Sequence, residues 1–182
     1  MLHAIGLIEL NSIAKGIEAG DAMLKAAEVS LLVAKTICPG KYIVMVGGDV
    51  AATARAVDAG TEVAAHTLVD QFTIPNIHAS ILPSISGVTP IDLVQAIGVV
   101  ETYSVGACIE SADAAVKAAS VVPIRTHLAF GIGGKCYYVL NGDVADVTAA
   151  VRTGADLAGA KGLLVQYAIL PRPHPQLVDA LL

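Results

Sequence analysis

The sequence predicts an α+β fold built from two tandem copies of one βαββαβ unit, each a sheet with its helices on one face. Two observations carry that expectation. The chain repeats itself: Ala4-Ile5-Gly6-Leu7-Ile8-Glu9 returns as Ala96-Ile97-Gly98-Val99-Val100-Glu101, and Gly48-Asp49-Val50-Ala51 returns as Gly142-Asp143-Val144-Ala145. The offset grows from 92 to 94 residues between these motifs, so the second copy carries an insertion where Cys38-Pro39-Gly40-Lys41 faces Phe130-Gly131-Ile132-Gly133-Gly134-Lys135. A period of that size is a duplicated domain rather than a solenoid repeat. Within each copy, short apolar runs alternate with segments of helical spacing, in the order strand, helix, strand, strand, helix, strand.

Each element follows from local signals. The first strand, Ile5 to Leu10 or Ile97 to Tyr103, runs into Asn11-Ser12 or Ser104, which are good N-caps for a helix. In the first copy Ile13, Ile17, Gly20, Leu24 and Ala27 then fall on one helical face, an apolar stripe on an otherwise polar rod. Glycine at 16 and 20 costs up to about 1 kcal/mol each against alanine, so close approach of another backbone is expected there. Two strands, Leu31 to Ile37 and Tyr42 to Val46, meet at the Cys38-Pro39-Gly40 turn. Asp49 and Asp143 are placed to cap second helices ending near Ala65 and Ala158. The last strands close at Ile74-Pro75-Asn76-Ile77-His78 and Leu170-Pro171-Arg172-Pro173-His174, where proline stops pairing and marks a sheet edge. The expected division is a first domain over 1–78, a Pro- and Ser-rich linker over 79–95 and a second domain over 96–182 with its tail.

Composition limits the function classes. Apolar residues form 55% of the chain and charged ones 15%, more apolar than an average soluble domain, so burial against further copies is expected. Prolines 75, 83 and 90 interrupt the longest charge-poor stretch, Gln71 to Ile91, which excludes a spanning helix there. The start, Met1 to Gly6, lacks the basic region and cleavage site of a secretory signal, so a cytosolic location is expected. Three cysteines, Cys38, Cys108 and Cys136, make a poor disulfide framework and read as thiols or metal ligands. A net charge of -5 without a Lys/Arg cluster argues against a nucleic-acid partner.

Enzyme patterns fail in turn. A phosphate-binding loop ending in Gly134-Lys135 would need glycine where Ala129 stands and Ser or Thr where Cys136 stands. The five histidines lack zinc spacing, and His78 and His174 recur at matching places, which suits a duplicated structural role. No serine sits in a nucleophile elbow. The chain is therefore expected not to be an enzyme. Cys108, on a helix, and Cys136, on a strand, read as buried small hydrophobes. Cys38 reads either as a loop thiol or, if three chains meet on an axis at its turn, as one of three converging thiolates. A 4Fe-4S cluster wants four ligands, so three would leave one iron an external one.

The repeated pattern resembles the bacterial microcompartment shell domain. The resemblance rests on Asp21 to Ala26 and Asp113 to Ala118 (Asp-x-x-x-Lys-Ala), the glycine-bearing loops, Gly48-Asp49-Val50 and Gly142-Asp143-Val144, and Pro171-Arg172-Pro173-His174; Asn76-Ile77 departs from it in the first copy. It implies a ferredoxin-like fold and a homotrimer that imitates a hexamer, a pseudohexameric tile packed edge to edge with other shell proteins in a shell within the cytoplasm. It also implies pore loops, Pro39, Gly40 and Lys41 in the first copy and Phe130, Gly131, Gly133, Gly134 and Lys135 in the second. Lys25, Lys117 and Arg172 match the family's tile-edge residues. More narrowly, Lys35-Thr36-Ile37-Cys38-Pro39-Gly40-Lys41 resembles the tandem shell proteins of propanediol-utilisation compartments. That likeness implies one 4Fe-4S cluster per trimer, held by three Cys38 thiolates with a non-protein fourth ligand, for electron transfer across the shell. An encapsulated or cytosolic redox protein would then be a partner. Two other readings stand beside it: a tile with an open pore for small metabolites and no cluster, and a ferredoxin-like small-molecule sensor.

Overall fold

The computed structural model describes residues 3–90 and 93–181. Met1 and Leu2, on which the signal-peptide reading partly rests, and Ile91 and Asp92 of the expected linker lie outside the described residues. The first repeat runs β1 (Ala4–Leu10), α1 (Ile13–Ala26), β2 (Ser30–Ile37), β3 (Lys41–Gly48), α2 (Val50–Ala64) and β4 (Leu68–Ile74). A short helix, α3 (Ile81–Ser86), follows. The second repeat runs β5 (Ala96–Thr102), α4 (Val105–Ala118), β6 (Val122–His127), β7 (Cys136–Gly142), α5 (Val144–Ala160) and β8 (Leu164–Leu170), and ends in α6 (Pro175–Leu181).

The strand orders are β2-β3-β1-β4 and β6-β7-β5-β8, antiparallel throughout, the ferredoxin-like order expected. Duplication reaches the irregularities. Register slips at Glu9/Leu10 and again at Glu101/Thr102, where two matched residues meet the last strand of their sheets. Ser12, Ser104 and Asp49 cap their helices by accepting from Lys15, Ala107 and Ala52 backbone N–H groups at 3.3, 3.0 and 2.8 Å. Asp143 holds the same position ahead of α5 without a side-chain capping bond.

Helix and sheet approach closely at a matched glycine of the central strand in each repeat. A Cβ added to Gly6 would lie 2.4 Å from Val57 Cγ2, and one added to Gly98 would lie 2.4 Å from Val151 Cγ2. The matched valines of α2 and α5 therefore sit directly on the central strand, and the apolar core forms around that contact, with Ile8, Leu10, Met23 and Val46 in the first repeat.

Three expectations change. Gly16 and Gly20 accommodate the Tyr42 and Val44 side chains of β3, not another backbone. The buried face of α1 is Gly16, Ala19, Gly20 and Met23, whereas Ile13, Ile17 and Leu24 are exposed, so most of the apolar stripe points away from its own core. The linker reading also changes. The chain forms two units, one running to Ile77 with Phe130–Gly134 added, the other comprising His78–Ala129 and the chain from Lys135. The segment read as a linker belongs to the second unit, where Ile81 and Ser84 of α3 are buried and the Ser84 hydroxyl meets Thr126 Oγ1 at 2.7 Å.

Overpacking a site like Gly98 costs about 1–3 kcal/mol. Gly98→Ala should therefore lower the thermal midpoint by several degrees without changing the helix content seen by circular dichroism; an unchanged midpoint would mean that α5 does not rest on β5.

Candidate functional site

Strands β2 and β3 are joined by the turn that carries Cys38. Ile37 is buried, Cys38 is half-buried, and Pro39 and Gly40 are exposed. Gly40 holds a φ of +72°, the left-handed conformation that tight turns reserve for glycine, and the Cys38–Pro39 peptide is cis. The inserted loop of the second copy, rich in the same conformation at Gly131, Gly133 and Gly134, groups with the first unit. There it meets the cysteine turn: a Cβ on Gly134 would fall 2.9 Å from the Cys38 carbonyl oxygen. Phe130 stands 65% exposed at the start of that loop. The structure thus brings Cys38, Pro39 and Gly134 together.

The two lysines expected in the loops are anchored at their bases. Lys41 Nζ lies 2.8 Å from Oε1 of Glu9, a carboxylate 1% exposed in the middle of the first sheet. Lys135 Nζ lies 2.5 Å from Glu101 Oε1, the matching but more open pair. That hydrogen bond and the carboxylate's charge hold the Lys135 ammonium above its usual pKa. A carboxylate buried in a sheet needs such a partner, so Lys41 acts as a counter-ion first. Glu9 and Glu101 were absent from the sequence-based site. A charged residue recurring in register at the end of an apolar strand was the signal for them.

Cys108 and Cys136 are buried and face one another as thiols in the second unit. Burial, then the hydrogen bond to Cys136, pushes the Cys108 thiol well above its usual pKa, which suits inert core residues. Cys38 alone is placed on a surface turn. The expected edge residues lie on three different segments. Lys25 is exposed in the last turn of α1 and pairs with Asp21, Lys117 pairs with the largely buried Asp113 on α4, and Arg172 lies exposed after β8. His78 and His174 share one geometry: each ring Nδ1 accepts from the backbone N–H two residues on, from Ser80 and Gln176, at 3.3 Å in both cases. Among the described residues no group of three His, Cys, Asp or Glu could hold a metal within one chain, and no helix is long and apolar enough to cross a membrane.

Comparison with known proteins decides what such a repeat is. The BMC domain profile matches twice, over residues 4–77 and 96–173. The chain belongs to the BMC-domain family. It is 60% identical over 174 residues, covering 96% of this chain and 95% of the other, to the bacterial microcompartment shell protein PduT of Citrobacter freundii. A microcompartment protein from Desulfitobacterium hafniense DCB superposes with a TM-score of 0.92 at 48% identity, over 98% of this chain and 99% of that one. The fused permuted hexameric shell protein MSM0275 from the RMM microcompartment shares the fold, with a TM-score of 0.63 at 22% identity over 87% of this chain and 82% of its own. This BMC-domain chain is a structural shell protein of a bacterial microcompartment, in a family of shell components and not of enzymes.

Removing one partner of a buried ion pair costs about 3 kcal/mol or more. Lys41→Met should therefore destabilise the chain by about 3 kcal/mol in urea melts, and Lys135→Met by clearly less, because the second pair is more open. Equal losses would mean that the two pairs carry the same burden.

Proposed function

We propose that three copies of this shell protein close into a pseudohexameric tile whose threefold axis passes the Cys38 turns, and that the three thiolates there hold one 4Fe-4S cluster. The observation that carries the reading is the placement of Cys38: of three cysteines it alone lies on a surface turn, while the other two are core thiols. The donor chemistry fits, since iron-sulfur clusters take cysteine thiolates. One chain cannot complete the set among its described residues, so the ligands must come from several copies, as closed symmetry allows for a duplicated chain. When bound, the cluster would supply one-electron transfer across the shell to a redox partner, with its fourth position left to a non-protein ligand. The chain's own contribution is to hold each thiol at the turn tip and to draw the nearby Lys41 ammonium back onto Glu9.

Anaerobic purification should yield about four irons and four acid-labile sulfides per trimer, with an electron paramagnetic resonance signal on reduction, all lost in Cys38→Ser. Trimers without iron in either protein would replace this reading with an open pore for small metabolites.

At the tile edge we place Lys25, Lys117 and Arg172, with Asn76 standing where the first repeat lacks the arginine. Lys25→Glu combined with Lys117→Glu should leave the trimer intact and abolish sheets seen by negative-stain microscopy at low salt. Sheets that persist in the double variant would remove these lysines from the edge.

A further inference from the structure

The two repeats differ most on one face. In the second unit the groove between α4 and β6 is filled by α3, the segment that follows the first repeat. Ile81 is buried, Ser84 Oγ meets Thr126 Oγ1, and the His78 backbone N–H donates to Asp113 Oδ1 at 2.8 Å. Beneath α3 the helix face is dry, with Ile109 at 0% exposure. In the first unit the matching groove between α1 and β2 is open, about 240 Å³, lined by Ile17, Gly20, Leu24, Leu31 and Ala34, with Asp21 at its rim. Ile17, the counterpart of Ile109, is 58% exposed.

We infer that this groove is filled by α6 of a second copy of the chain. The segment after the second repeat is the counterpart of α3, and it adopts the same local geometry. His174 stands for His78, and its carbonyl accepts the Leu177 N–H at 2.9 Å, as the His78 carbonyl accepts the Ile81 N–H at 3.1 Å. Leu177 takes the place of Ile81 and is 43% exposed. Val178 and Leu181 pack on the sheet of their own unit, so α6 is held in position with Leu177 and Ala180 left to the outside. The polar pair has changed on both sides at once: where Ser84 meets Thr126, the corresponding residues are Ala180 and Ala34. A serine-threonine pair becomes an alanine-alanine pair, which suits an apolar contact and leaves no hydroxyl unsatisfied. Asp21, paired with Lys25 as Asp113 is with Lys117, supplies the acceptor for the His174 N–H of the neighbouring copy.

Each chain then offers one open groove and one plug at different places, a heterologous contact that makes rings when the rotation closes. This inference rests on the trimeric tile above and names the contact that closes it. The test is a disulfide trap. Ala34→Cys with Ala180→Cys, both at exposed positions, is built in a Cys38→Ser background whose size is first measured by light scattering. Mild oxidation should give covalent bands of two and three chains on a non-reducing gel, and each single cysteine variant should stay at one chain. A trimer by light scattering that does not cross-link overturns the plug and leaves the tile standing; a monomer by light scattering overturns the tile as well. Leu177→Glu, made at an exposed site in the otherwise wild-type chain, should raise the concentration at which the assembly dissociates at least tenfold. An unchanged value again overturns the plug.

Discussion

Burial of the apolar stripe on α1 is the constraint to which the assembly answers. Ile13, Ile17 and Leu24 lie between 40% and 58% exposed on a helix whose other face already fills its own core. Fully burying a large aliphatic side chain contributes about 1.5–3 kcal/mol, so a stripe of them left in water forfeits several kcal/mol. The second repeat avoids that loss within one chain, because α3 covers the matching face of α4. A duplicated chain therefore satisfies one of its two grooves internally and leaves the other open for the proposed plug of a second copy, in line with a composition more apolar than a soluble domain requires.

Near the proposed axis, the turn chemistry depends on one buried carboxylate, Glu9, and on its more open counterpart, Glu101. Glu9 and Glu101 lie at the same point of each repeat, beside the register slip toward β4 and β8, and each binds the lysine that begins or precedes the following strand. The pair draws positive charge toward the sheet and away from the turn tip. What remains there is a thiol, a proline and glycines with left-handed backbone, groups that let several copies approach closely. The inserted Phe130–Gly134 loop lies against the same turn, so the two copies of the loop have diverged into a turn that carries Cys38 and a longer neighbour.

Much of this was legible in the sequence, because the repeat constrains the reading twice. The succession of elements along the chain and the caps at Ser12, Ser104 and Asp49 follow from local signals present in both copies, and the turn that carries Cys38 follows from the Cys-Pro-Gly sequence of the first copy. The stripe on α1 was legible as apolar but not as outward-facing. Helical spacing shows that residues share a face, and Gly16 and Gly20, which let Tyr42 and Val44 in, decide which face the sheet takes. The segment 79–95 looked like a linker because proline and serine dominate it. Ser84 is instead satisfied by Thr126 from a strand far along the chain, a pairing that no local pattern announces. Glu9 was overlooked for the same reason: its partner, Lys41, lies across the sheet.

In the proposed assembly, one groove and one plug per chain close a ring of three around Cys38. Native mass spectrometry of anaerobically prepared protein reads copy number and bound mass together. A single species of three chains, carrying the mass of one 4Fe-4S cluster and persisting on dilution, is the predicted spectrum. Single chains or an open-ended ladder of copies would contradict the closed ring.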